Sequence, residues 1–157
     1  MLELIKKHSG GASIGQPELT VILDYDQRTK GRLRTTSTDG QDCGLFLERG
    51  KVLRHGDVLE SREGKLVLVK AADEALVEAH CDDWETFAKC CYHLGNRHVP
   101  IQIFDKSLRM RPDHILEDMI KQLGMHTKHV EKGFDPEQGA YSGGHSHGHS
   151  HSHAHDH

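Results

Sequence analysis

From position 145 to position 157 every second residue is histidine: His145, His147, His149, His151, His153, His155 and His157, separated by Ser, Gly, Ala and Asp alone. In an extended chain, residues two apart point the same way at roughly 6–7 Å, and a small kink lets two imidazoles converge on one ion. Small spacers make that kink easy. Neutral imidazole suits nickel, copper and zinc, and an unperturbed pKa near about 6.5 leaves most of these rings unprotonated at neutral pH. An engineered purification tag would be an uninterrupted run of histidine, so the alternation points to a metal-binding segment. The stretch from Ser142 onward offers nothing to bury, cannot offset the entropy of ordering, and is expected to be a disordered tail over 142–157.

Eight further histidines precede the tail. His8, His55, His126 and His129 are most simply surface or satisfied residues. His93 and His98 flank the tetrapeptide LGNR at the end of a predicted helix, and a five-residue step does not place both on one helical face, so they cannot form a two-histidine helical clamp. His98 falls where that helix gives way to a strand, a boundary expected to be exposed. Cys43, Cys81, Cys90 and Cys91 contain one adjacent pair and no CxxC, matching neither a zinc knuckle nor a redox motif, and read as reduced structural thiols.

Other chemistries are excluded by what is missing. The sequence has no GxxxxGK[ST] for nucleotide hydrolysis and no HExxH for a zinc hydrolase. Asp82, Asp83 and Glu85 sit at a helix start, where carboxylates cap and oppose the helix dipole, so no acid–base pair is needed and the protein is expected not to be an enzyme. Residues 1–71 sum to a charge of +2 and residues 72–157 to −6, neither a concentrated basic face for nucleic acid. No run of about 18 apolar residues and no signal-like N-terminus is present, so a cytoplasmic protein with no membrane partner is expected.

The elements that must hold these residues divide the chain in two. Up to residue 71 the segments 19–23, 32–38, 44–50, 52–60 and 65–69 are short, rich in branched residues and punctuated by Gly and Asp, with no helical period. They predict a small all-β domain, a barrel or sandwich. From residue 72 the pattern changes. Residues 73–80 predict a strand, and a turn at Cys81, Asp82 and Asp83 supplies a helix cap. Trp84, Phe87, Ala88, Cys91 and Leu94 then mark the buried face of a helix bounded by Gly95 and Pro100. Residues 99–105 and 107–111 predict a hairpin turning at Asp105 and Lys106. A second helix runs between Asp113 and Gly124, and a last strand covers 125–134. The order strand, helix, strand, strand, helix, strand is the split βαβ of a ferredoxin-like domain over 72–141, with both helices on one sheet face and the other face free for a partner. The fold class is α+β.

Three segments, GLFLERGKVLRHGDVL (44–59), AADEALVEAHCDD (71–83) and YHLGNRHVPIQI (92–103), together with PEQGAY (136–141) before the histidine tail, resemble the UreE family of urease accessory proteins over nearly the whole chain. The resemblance implies a nickel metallochaperone, with a peptide-binding-type N-terminal domain and a ferredoxin-like metal-binding domain. Its Ni(II) is delivered to a complex of apo-urease and an accessory GTPase during metallocentre assembly, and zinc and copper are further ions such imidazoles accept. It also implies a homodimer through the C-terminal domain with the GNRH histidine, His98, at the two-fold axis. His114 matches a peripheral metal-binding histidine of some members, although the second histidine of that site is here Pro112, and His93 matches by position. The alternative from another class is a nickel or zinc storage or detoxification protein, which the tail would serve equally well.

Overall fold

A computed structural model describes residues 1–10 and 14–140. The seven alternating histidines, and with them the expected tail, lie outside the described residues.

The N-terminal part contains β1 (Leu2–His8), β2 (Leu19–Leu23), the one-turn helix α1 (Tyr25–Arg28), β3 (Arg32–Thr36), β4 (Asp42–Phe46), β5 (Val58–Ser61) and β6 (Leu66–Ala71). These strands form one mixed sheet in the order β2-β6-β5-β1-β4-β3, with β1–β4 and β2–β6 parallel. The amide of Thr38 donates to the carbonyl of Thr20 at 2.9 Å, joining the segment after β3 to the other edge strand. Leu4, Val21, Leu23, Cys43, Leu45, Leu53, Leu59, Val67 and Val69 make one buried cluster.

Three expectations change here. The strand β1, central in the sheet, carries Lys6 and Lys7 and a register shift between Leu4 and Lys6, which break the alternation that marks a strand. Helix α1 interrupts the all-β reading. It is too short for a helical period, and it is held by Asp24, whose carboxylate accepts from the Gln27 amide while the Gln27 side chain accepts from the Asp24 amide. Finally, residues 47–57 are not strand. Gly50 and Gly56 have φ of 85° and 92°, and the buried Asp57 carboxylate accepts from the amides of Gly10 and Arg54, fixing a turn where the apolar residues suggested extension.

The C-terminal part runs β7 (Asp73–His80), α2 (Trp84–Asn96), β8 (Gln102–Phe104), β9 (Ser107–Met110), α3 (His114–Leu123) and β10 (His126–Gly133). Its sheet has the order β10-β7-β9-β8, every neighbouring pair antiparallel. Val77, Ala79, Leu108 and Met110 of the sheet pack with Phe87, Cys90 and Leu94 of α2 and Ile120 of α3 in a second buried cluster. The buried face of α2 is therefore Phe87, Cys90 and Leu94, with Cys91 at its edge. Trp84 and Ala88, expected inside, are outside. The helix carries two apolar stripes, 84–88–92 and 87–90–91–94, and period alone does not say which one meets the sheet.

The opposite sheet face is only partly free. Leu76 is fully buried on it, Glu74 accepts from the Tyr25 amide at 3.0 Å, and Arg111 pairs with Asp26 at 2.9 Å, so α1 of the N-terminal part rests there. Helix α3 begins at Asp113, whose carboxylate accepts from the amides of both Ile115 and Leu116. Asp113→Ala is expected to lower stability by about 1 kcal/mol in urea unfolding, because two helix-start amides lose their acceptor. A change within the error of the measurement would mean water replaces the cap without penalty.

Candidate metal centre

The C-terminus of α2 presents His98 in an unusual backbone state. The Val99 amide donates to the Leu94 carbonyl at 3.1 Å and the His98 amide to the Gly95 carbonyl at 3.0 Å, the paired bonds of a helix end closed by a left-handed residue. That residue is His98, with φ of 56°. Helix α3 ends the same way, its Met125 amide donating to the Ile120 carbonyl, but there the left-handed position is Gly124, with φ of 114°. Glycine reaches this region without strain, whereas a side chain with a Cβ pays a steric penalty. Gly95, which the sequence offered as the helix stop, instead lies inside the last turn. A histidine thus occupies a position where the twin helix uses glycine, and the turn projects it from the domain.

Its surroundings suit an exposed ligand. His98 lines a shallow cleft of about 350 Å³ with Arg97, Pro100, Arg111, Pro112 and Asp113. The Arg97 guanidinium donates to the Met119 sulfur at 3.5 Å, pinning the end of α2 against α3. The outer faces of the two helices carry apolar side chains in water: Trp84 is 57% exposed, Tyr92 68% and Ile115 68%.

His114 is the first residue of α3, exposed, directly after the Asp113 that lines the His98 cleft together with Pro112. His93 is exposed on α2 with its ring against Tyr92, centroids 5.3 Å apart. Among the described residues no group of three or more His, Cys, Asp or Glu side chains is placed to hold an ion. From these residues, then, His98 offers a single imidazole, and the tail histidines His145 to His157 lie outside them.

The remaining candidates have local explanations. His129 Nε2 meets the buried Glu117 at 2.9 Å, the Nδ1 of His55 accepts from the Ala71 amide at 3.1 Å, and His8 lies 3.7 Å from Glu60. Cys43, Cys81 and Cys90 are buried, and burial pushes the Cys90 thiol up to about 11 and raises Cys91 and Cys43 as well, so the thiols of Cys43, Cys90 and Cys91 stay protonated at neutral pH. Asp83 caps α2, accepting from the Thr86 amide at 2.9 Å, and that bond holds its carboxyl below the usual carboxylate range. What the sequence could not disclose is the left-handed backbone of His98, since histidine carries no signal for it.

Comparison with known proteins agrees with the sequence resemblance. Residues 2–72 match the family described as the UreE urease accessory protein N-terminal domain, and residues 74–157 its C-terminal domain. A urease accessory protein UreE of Marinomonas sp. (strain MWYL1) is 52% identical over 125 residues, covering 80% of this chain and 85% of the relative. The protein of that name from Proteus mirabilis (strain HI4320) is 48% identical over 131 residues, covering 83% and 81%. One from Pseudomonas putida (strain KT2440, ATCC 47054) is 50% identical over 123 residues, covering 78% and 74%.

Proposed function

The chain belongs to the UreE family of urease accessory proteins, and from that premise we propose that it is a cytoplasmic nickel metallochaperone, carrying Ni(II) to apo-urease and its accessory GTPase. Its relatives are named as accessory proteins; it is not an enzyme, and its role lies in urease maturation. In this reading residues 1–71 form a β-rich domain of the peptide-binding type and residues 72–141 a ferredoxin-like metal-binding and dimerisation domain, whose ferredoxin-like topology the sheet order β10-β7-β9-β8 supports.

The observation that carries the reading is the projecting His98. One imidazole is a poor site, but two copies related by a two-fold axis supply two ligands to one ion. The exposed Trp84, Tyr92 and Ile115 on the same helix layer supply apolar surface for a homodimer of this kind. Tail imidazoles would complete the shell and let go readily, as a carrier requires. His93 and His114 then serve as secondary donors near the axis.

The seven tail histidines favour storage as a second reading, and truncation separates the two. Removing residues 144–157 is expected to take away most of the bound nickel in equilibrium dialysis while urease activation persists at a reduced level, since seven imidazoles go but His98 stays. If the nickel count did not change, the tail would have no storage role. If activation vanished with the tail, delivery would run through it and not through His98.

A further inference from the structure

On the sheet face away from the helices, β7 and β10 run antiparallel with His80 directly opposite His126. Both are exposed, and their ring centroids are 5.3 Å apart with the planes tilted by 35°. We propose that His80 and His126 form a second metal site, separate from His98, which takes a four-coordinate divalent ion of the zinc type.

The backbone does the positioning. Direct cross-strand neighbours have Cβ atoms about 4.5–5.5 Å apart, so two side chains there meet without any loop having to order. A tetrahedral ion with metal–nitrogen bonds of roughly 2.0–2.1 Å holds two imidazole centroids about 5 Å apart, which matches the separation already present. The two rings therefore need only small torsional changes to share an ion, and a preorganised pair loses little entropy on binding.

The neighbouring charges leave the pair accessible. Two residues along β7, Glu78 is engaged by Arg109 at 3.1 Å, Lys128 at 3.5 Å and Lys132 at 3.9 Å, so these cations are drawn to a carboxylate. That set holds the Glu78 carboxyl below its ordinary range, the Arg109 hydrogen bond contributing most. Across the sheet the registered neighbour of His80 is Ser107, itself opposite Phe104 on β8. Among the described residues no third histidine, cysteine or carboxylate completes the set, so the other two positions fall to water or to an incoming donor. The pair is formed by the fold, and His80 and His126, 46 positions apart, carry no local motif.

The site does not depend on the nickel reading, and its test keeps the two apart. The full-length chain with His98→Ala and Asn in place of each of the seven tail histidines is titrated with zinc chloride alone, following imidazole proton resonances by NMR. The expected result is that His80 and His126 shift together and saturate at one zinc per chain. His80→Gln or His126→Gln, added singly, should weaken zinc binding at least tenfold with amide spectra that still report a folded protein. If the two rings moved no more than those of His8 and His55 at the same zinc concentration, or if either single variant bound zinc like its parent, the site would be refuted and the pair would be a ring contact only.

Discussion

His98→Gly is expected to abolish the tight nickel site and most urease activation while making the protein more stable. The two effects separate because the two properties of residue 98 come from different atoms. The imidazole supplies the ligand, and in the proposed dimer one substitution removes two ligands from the same ion. The Cβ supplies the strain: at φ of 56° an L side chain crowds its own backbone, a penalty of about 1–2 kcal/mol that glycine escapes. Part of that gain is lost because glycine also frees the unfolded chain, leaving a net stabilisation of about 1 kcal/mol or less. His98→Ala should lose the nickel site equally and gain no stability, since alanine keeps the Cβ. Nickel titration, activation of apo-urease and urea unfolding of the two variants read both properties. A nickel site of undiminished affinity in either variant would end the case for His98 as ligand. A destabilised His98→Gly would mean the imidazole holds the turn in place.

The position of His98 at a helix boundary was legible because the apolar period stops and Pro100 follows. Its left-handed backbone was not, because Gly95 stood three residues earlier as the more obvious stop, and nothing local says that the helix continues through it. The caps were legible for the opposite reason. Asp83, Asp113 and Gly124 each act through bonds to atoms within five residues, so sequence distance and spatial distance coincide. The strand and helix order of the C-terminal part followed from such local signals. In the N-terminal part the central β1 is stabilised by partners far along the chain, Cys43 to Leu45 on one side and Val58 to Ser61 on the other, and its own residues advertise little. The His80–His126 pair is hidden in the same way: it exists only because of a register between two strands that no short window contains.

Arg28 was equally invisible and carries the largest expected effect on stability: Arg28→Met should lower it by about 3–5 kcal/mol. An arginine in a stretch with one aspartate on either side of a tyrosine reads as a surface residue, yet Arg28 is fully buried. Its Nε donates to the Leu23 carbonyl at 3.3 Å, its Nη1 to the Leu53 carbonyl at 3.3 Å, and its Nη2 to the carbonyl of Phe134, with Asp135 3.7 Å away. Burial lowers the guanidinium pKa from its ordinary value, with Asp135 the foremost group opposing it. One side chain thus satisfies carbonyls from α1's own approach, from the turn before β5, and from the segment after β10, tying the two sheets together. The Phe134 ring packs edge-on against Tyr25, centroids 5.4 Å apart, so the contact is sealed from water. Methionine fills similar space but donates nothing, so the Leu53 and Phe134 carbonyls lose the guanidinium that pairs them while the Leu23 carbonyl keeps only the Ala72 amide. Arg54→Ala is the control. It also meets Asp135, at 3.2 Å, but its side chain is 45% exposed, and a change of about 0–1 kcal/mol is expected. Urea unfolding of the two variants decides it. If Arg28→Met cost no more than Arg54→Ala, the buried guanidinium would not be what joins the two parts, and their association would rest on the Phe134–Tyr25 packing and on the Tyr25–Glu74 and Arg111–Asp26 contacts.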